Sequence, residues 1–211
     1  MTTPSNPETD LFGDVVAERL NVKRRKEAAV DDHERSRDYL TQSEIDVLLP
    51  ASRKGRFGIR DYSMLLLMFR HGLRVSELVG LRKGDLDLDA GRIWVNRKKG
   101  GLSTAQPLGG DELRSLRAYF RTRGDQLPWV FLSSQGGQMT RQNFNYLIKT
   151  AGERAGLDDL HPHMLRHSCG HVLADGGMDT RLLQDWLGHR DIRHTAWYSR
   201  TSASRFEGIW K

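Results

Sequence analysis

The feature that most constrains the fold is residues 64–69 (MLLLMF), a run without a polar position. It lies within a predicted helix, residues 59–71, which ends at Gly72. A helix that is apolar on all sides is buried, because no face of it can meet water favourably. The run is also far shorter than the roughly 18 residues that cross a membrane. The sequence therefore predicts that this helix lies inside the core of a globular domain.

The remaining patterns predict a mainly α-helical fold with a small antiparallel β-sheet. Residues 41–44 (TQSE) form a capping box, in which the Thr hydroxyl and the Glu carboxylate satisfy free N–H groups at a helix start. Residues 92–96 (RIWVN) alternate in polarity and predict a strand that pairs, across a turn at 98–101, with residues 103–108. The other predicted elements are helices at 75–81, 111–123, 140–155, 163–174, 179–187 and 192–199, and a short strand at 129–132.

Composition divides the chain near residue 37 into a tail and one domain. Residues 1–36 carry six Lys or Arg against eight Asp or Glu, whereas residues 37–211 carry 27 against 19. The tail reads as partly disordered, with a short helix whose basic run at 23–26 is either a phosphate-binding arm or a solvated face. The positive domain predicts attraction to a polyanion such as DNA, although a merely basic enzyme has the same balance. The single cysteine, Cys169, excludes an intrachain disulfide and fits a reducing cytoplasm.

Several polar residues stand at unusual places in this pattern. Arg74 follows the buried helix, and two lysines, Lys98 and Lys99, fall at the tip of the predicted hairpin. His163 and Arg166 are three apart and so share a helix face. Further along, His189 follows a Leu-Gly helix end, and Tyr198 comes nine residues later. Each position alone has an ordinary explanation, such as a cap, a solvated turn or a packed ring.

Taken together, these residues resemble the signature of the tyrosine recombinase (phage integrase) family. The order and spacing match from residues 72–78 (GLRVSEL) through the hairpin lysine to Tyr198. The resemblance covers about residues 39 to 211 and is closest to the fimbrial phase-switch DNA invertases. The segments similar to that branch are 161–170 (HPHMLRHSCG), 179–185 (DTRLLQD), 187–195 (LGHRDIRHT) and 205–210 (RFEGIW). The resemblance implies the catalytic domain of these enzymes, the DNA breaking-rejoining fold, over residues 37–211.

By resemblance, the Tyr198 hydroxyl attacks a DNA phosphodiester, forms a 3′-phosphotyrosine and frees a 5′-hydroxyl. Arg74 and Arg166 then clamp the non-bridging phosphate oxygens with planar forks, the task that a divalent metal performs elsewhere. No metal and no cofactor is therefore expected. The phosphotyrosyl bond keeps the energy of the broken bond, so a 5′-hydroxyl from a partner strand can reseal it.

The resemblance also assigns the proton transfers. A free tyrosine has a pKa of about 10, so Tyr198 needs a group such as His163 to accept or relay its proton. The hairpin lysine protonates the departing 5′-oxygen, and the family's lysine-x-glycine spacing favours Lys98 over Lys99. His189 is expected to bind the phosphate or to orient the tyrosine. Glu77 is expected to organise the turn that bears Arg74.

The expected partners are double-stranded DNA recombination sites and further copies of the chain, four in the synapse, with accessory DNA-bending proteins. No membrane partner is expected, and the location implied is the bacterial cytoplasm at the nucleoid. Residues 201–211, with Phe206, Ile209 and Trp210 as anchors, either dock onto a neighbouring protomer or pack on their own domain. With only 36 residues before the domain, the chain is expected to lack, like the fimbrial invertases, the N-terminal domain with which typical integrases close a clamp around DNA.

Other interpretations remain open on the sequence alone. Histidines at 163, 167 and 171 recur every four residues and could bind zinc, although Arg166 lies among them and the expected glutamate is absent. Two further interpretations are a DNA-binding module without catalysis and a type IB topoisomerase. The recombination reaction could equally result in inversion, integration or excision of DNA. Fimbrial phase variation, with its transcriptional control, is suggested only by the similarity to the fimbrial invertases.

Overall fold

The computed structural model of the protein describes residues 38–97 and 101–201. The predictions made for the tail, for Lys98 and Lys99 and for the last ten residues lie outside this part, and the domain boundary near residue 37 stays a prediction. The described helices are α1 Gln42–Ser52, α2 Gly58–His71, α3 Val75–Leu78, α4 Gly110–Arg121, α5 Arg141–Ala155, α6 Pro162–Asp175, α7 Thr180–Leu187 and α8 Arg193–Thr201. The strands are β1 Leu86–Asp87, β2 Arg92–Val95 and β3 Thr104–Pro107.

The central helix is buried as predicted. Every residue of α2 from Ser63 to Phe69 is buried, and the helix packs against α4 on one side and α6 on another. The capping box at the start of α1 is also confirmed, with the Thr41 N–H donating to Glu44 Oε2 over 2.8 Å. In the described part of the chain, no helix is both long and apolar enough to span a membrane.

The predicted hairpin is confirmed as part of a three-stranded antiparallel sheet in the order β1-β2-β3. Its register pairs Arg92 with Pro107 and Val95 with Thr104, and alternate residues Ile93 and Val95 enter the core. The first strand was not predicted, because a two-residue strand leaves no alternation to detect. It pairs with β2 through Leu86 and Ile93.

The strand predicted at residues 129–132 is wrong. That segment bends at Val130 and Phe131 and forms only isolated bridges, from Trp129 to Arg82 and from Leu132 to Gln138. The neighbouring chain turns into a 3₁₀ segment at Lys83–Asp85 immediately after the first bridge, so no ladder continues. The helix predicted at 75–81 ends at Leu78. Gly80, a poor helix former, follows, and the Leu81 carbonyl accepts the Val130 N–H over 2.9 Å as the chain pairs with the next segment.

A second, smaller apolar cluster lies where α6, α7 and α8 meet. It contains Cys169, Ala174, Leu183, Leu187 and, as its aromatic member, Tyr198. Because α8 packs against both α6 and α7, the tyrosine is carried onto the face of α6 that holds the predicted histidines. The candidate site therefore lies between this cluster and the carboxyl end of α2.

Candidate active site

The carboxyl end of α2 sets the position of Arg74. Gly72 ends the helix in the left-handed region, at φ 54°, which glycine adopts without strain. Arg74 then donates its backbone N–H to Glu77 Oε2 over 2.9 Å and its Nη1 to Glu77 Oε1 over 2.8 Å. Burial alone would raise the pKa of Glu77, but the bonds from Arg74 and the charge of Arg97 lower it below its ordinary value. The expectation that Glu77 organises this turn is confirmed.

Arg166 reaches the same turn from α6. Its guanidinium donates to the Gly72 carbonyl and, over 2.8 Å, to the Leu187 carbonyl. Burial and the nearby charges of Arg97 and Arg74 lower the pKa of Arg166 to about 10, so it is still a cation at neutral pH. A guanidinium has five N–H donors, and these carbonyls do not use them all. The arginines form a cluster of like charge that a bound anion would stabilise.

Tyr198 is almost fully buried, with 2% of its surface exposed. Its hydroxyl makes a 2.8 Å hydrogen bond with His167 Nδ1, and its ring lies directly on the backbone of α6 at Gly170. A Cβ on that glycine would come within 2.6 Å of the tyrosine Cζ. Burial raises the pKa of Tyr198 to about 12, although the charge of Arg166 acts in the opposite direction. The phenol is therefore neutral and in need of a base.

Two further predicted residues border the tyrosine and the arginines. The His189 ring is stacked against the Tyr198 ring at a centroid distance of 6.4 Å, and its Nδ1 lies 2.9 Å from Thr195 Oγ1. Burial and the charge of Arg166 lower the pKa of His189 to about 3, so this imidazole is neutral. Burial and the same arginine also lower the pKa of His163.

Five of the six predicted site residues share one electrostatic neighbourhood: Arg74, His163, Arg166, His189 and Tyr198. The charge of Arg166 acts on the pKa of both histidines and of the tyrosine. Lys98, the sixth, and its competitor Lys99 lie outside the described residues. The individual catalytic roles stay predictions.

Arg97 was not among the predicted site residues, yet its side chain bonds several elements of the site. Its side chain is fully buried, and Nη1 donates to Glu77 Oε2 over 2.9 Å and to the Gly72 carbonyl over 3.2 Å. Its Nη2 donates to the His71 carbonyl over 2.9 Å and to the Trp186 carbonyl. A signal was present in the sequence, because the alternation that buries residues 93 and 95 also turns residue 97 inward.

The histidines considered as zinc ligands contact different side chains. His167 bonds the tyrosine hydroxyl, whereas His171 stacks on Tyr39 at a centroid distance of 3.8 Å. The His163 ring centroid is 6.2 Å from that of His167. Over residues 38–97 and 101–201, no group of three or more His, Cys, Asp or Glu side chains is arranged to hold a metal ion. The zinc interpretation therefore gains no ligand set from this face of α6.

Comparison with known proteins identifies the family of the chain. The profile of the phage integrase family matches residues 38–205. The chain therefore belongs to that family and is a tyrosine-type site-specific recombinase, an enzyme that cleaves and rejoins DNA.

Among its relatives is the type 1 fimbriae regulatory protein FimB of Escherichia coli (strain K12), which is 48% identical over 181 residues, covering 83% of this chain and 90% of FimB. Tyrosine recombinase XerC of Pseudomonas entomophila (strain L48) is 38% identical over 154 residues, covering 72% of this chain and 51% of XerC. The crystal structure of XerA recombinase superposes with a TM-score of 0.69 at 26% identity, covering 79% of this chain and 59% of XerA. The predicted family and fold are thus confirmed.

Proposed function

We propose that this recombinase cleaves DNA with Tyr198 while Arg74 and Arg166 hold the scissile phosphate. The observation that carries the proposal is the placement of the tyrosine hydroxyl on the histidine face of α6, within the field of Arg166. Attack by the phenol oxygen forms the 3′-phosphotyrosine and expels the 5′-oxygen of the next nucleotide. The chemistry needs a cationic clamp, a proton acceptor and a proton donor, and each has a candidate.

The clamp is the arginine pair. Negative charge grows on the non-bridging oxygens during attack, and preorganised cations beside it cost no reorganisation. Arg74 is held by Glu77 and Arg166 by two backbone carbonyls, so neither fork has to be ordered when DNA arrives. The mutual repulsion of the guanidinium groups is relieved once a phosphate lies between them. This supports a phosphate site that works without a metal.

The remaining roles concern protons and orientation. His163, one turn from Arg166, faces the phosphate and accepts or relays the proton of Tyr198. His189 orients the tyrosine through the stacked rings. Lys98, with Lys99 as the alternative, protonates the departing 5′-oxygen. Arg97, the residue before Lys98 in the chain, bonds Glu77 in the Arg74 turn, and this supports the role proposed for Lys98.

Strand exchange then requires two DNA sites and four protomers. By the family resemblance, the segment at 201–211 is expected to dock onto a neighbouring protomer, with packing on its own domain as the alternative. Accessory DNA-bending proteins are expected to bring the sites together in the cytoplasmic nucleoid. We favour inversion of a DNA segment that carries a promoter, because a relative of 48% identity is named as a fimbriae regulatory protein. Integration or excision on a plasmid or genomic island would use the same chemistry.

The test is covalent capture on nicked DNA. Short inverted repeats beside the gene supply candidate sites, and a nick next to the scissile phosphate lets the 5′-hydroxyl fragment diffuse away. Wild-type protein should form an adduct that survives denaturing electrophoresis, with or without chelator. Tyr198→Phe, which keeps the ring, should abolish the adduct, whereas Tyr146→Phe, at a tyrosine 74% exposed, should keep it.

Each contrary outcome would indicate a different activity for this protein. Binding of the site without an adduct would leave a DNA-binding module. Loss of the adduct on chelation would restore the metal hypothesis. An adduct accompanied by supercoil relaxation but no exchange between two sites would indicate a topoisomerase.

A further inference from the structure

The side chain that contacts the tyrosine hydroxyl is His167, to which no role has been assigned. Its Nδ1 lies 2.8 Å from Tyr198 Oη, and its Nε2 lies 3.4 Å from Asp38 Oδ2. The imidazole thus stands between a carboxylate and a phenol. His163, the residue to which proton acceptance was given, is one turn earlier on the same helix, with its ring centroid 6.2 Å from that of His167.

The two contacts select one tautomer of the imidazole. A carboxylate accepts hydrogen bonds only, so the nitrogen that faces Asp38 carries the proton. Nδ1 is then left with its lone pair toward the phenol, and Tyr198 donates its O–H to it. Burial lowers the pKa of His167, so the ring is neutral at neutral pH and its lone pair is available.

The packing of the tyrosine fixes which histidine it meets. Gly170 lies one turn after His167 on the same face of α6, and the absence of a Cβ lets the phenol ring rest on the helix there. The rings of His171 and Trp197 close on the tyrosine edge-on, at centroid distances of 5.2 and 5.3 Å. A ring held in this way directs its hydroxyl at position 167.

On this geometry we propose that His167 is a catalytic residue that takes the phenolic proton of Tyr198 as the tyrosine attacks, with Asp38 as its positioning residue. The inference rests on the proposed function and moves one step of it from His163 to His167. The O–H bond of Tyr198 breaks, its proton passes to His167 Nδ1, and the freed electron pair forms the bond to phosphorus. The phosphorus bond to the 5′-oxygen breaks, and that oxygen takes a proton from the lysine. Religation runs the same transfers backwards, so no external reactant is consumed.

The decisive variant is His167→Asn, because the asparagine amide reaches about as far as Nδ1 and can accept a hydrogen bond but not a proton. Single-turnover adduct formation on nicked DNA should fall by roughly 10²- to 10⁴-fold in both His167→Asn and His167→Ala, the range for losing a general base. Added imidazole should restore part of the rate in the alanine variant. Asp38→Asn should lose less, because it keeps a polar group beside Nε2.

The matched control is His161→Ala. His161 Nε2 contacts the other oxygen of Asp38 over 2.9 Å, and its side chain is half exposed. The variant removes an imidazole from the same carboxylate and should keep the wild-type rate. Site binding and thermal unfolding, measured for every variant, separate a chemical loss from a folding defect, and the near-isosteric asparagine is the variant that preserves packing.

A substrate with sulfur in place of the 5′-bridging oxygen adds a second readout. A thiolate leaves without protonation, so Lys98→Ala should recover much of its lost rate on this DNA, whereas His167→Asn should lose as much as it does on the normal substrate. The proposal is overturned if His167→Asn stays within threefold of wild type, if sulfur rescues it, or if His163→Ala alone shows the loss. Failure of wild-type protein to form any adduct would instead overturn the proposed function itself.

Discussion

Substituting Gly170 tests whether Tyr198 rests on α6 as described. An ideal Cβ at this position would lie 2.6, 2.7 and 2.8 Å from Cζ, Cε1 and Cε2 of the tyrosine ring. Carbon atoms in ordinary contact are about 3.5–4.0 Å apart, so Gly170→Ala must displace the ring by roughly 1 Å. Displacing the ring moves the hydroxyl away from His167, and we expect adduct formation to fall together with stability.

The size and sign of the effect follow from two opposing contributions. Forcing an extra methyl group into a packed site costs about 1–3 kcal/mol. In a helix interior without that contact, alanine is more stable than glycine by about 1 kcal/mol. Gly170→Ala should therefore destabilise the wild-type protein but stabilise the Tyr198→Ala variant, which has no ring to displace. The helix contribution is the same in both backgrounds, so the two effects should differ by the packing cost alone, roughly 1–3 kcal/mol.

Urea unfolding of the four proteins in this double-mutant cycle measures the difference directly. The cycle needs no DNA, so its result is independent of the recombination site. Equal effects of Gly170→Ala in both backgrounds, of either sign, would refute the reasoning. They would mean that the ring does not lie on α6 at this glycine.

Two further predictions concern the network around the site. Glu77→Gln removes the charge that pairs with Arg74 and with the buried Arg97. It should lower the free energy of unfolding by roughly 3–5 kcal/mol, the range for breaking a buried ion pair. A loss below about 1 kcal/mol in urea unfolding would contradict this. Burial lowers the pKa of His171 to about 4, below the ordinary 6.5, so the unfolded chain binds the proton first and stability should fall as the pH drops from 6.5 towards 4. His171→Phe, which keeps a ring against Tyr39, should make this fall shallower in a series of melting temperatures. The lowered pKa values of His163, His167 and His189 should leave part of the fall in place, and an unchanged slope would contradict the assignment.

The large elements of the fold could be predicted because their patterns are local. The apolar run of α2, the capping box of α1 and the alternation of β2 each fall within a short window of sequence. The segment at 129–132 misled this reasoning because its apolar, β-rich composition is satisfied by two single bridges to different neighbours. Strand composition alone does not show whether a ladder continues.

The candidate site was predictable as a set of residues but less so as a set of contacts. Five predicted side chains share one neighbourhood, yet the hydroxyl of Tyr198 meets His167 rather than His163. Arg97 bonds the carbonyl of Trp186, 89 positions away, and no local pattern reports a contact of that separation. A glycine inside a helix, as at 170, was the remaining sequence signal of a close approach.

The central claim is that Tyr198 is the nucleophile at the phosphate held by Arg74 and Arg166. Adduct trapped on nicked DNA can be digested with protease and nuclease and the modified peptide sequenced by mass spectrometry. We predict a single peptide in which Tyr198 carries a nucleotide through its 3′-phosphate. A nucleotide on any other residue, or a 5′-phosphate linkage, would contradict the account.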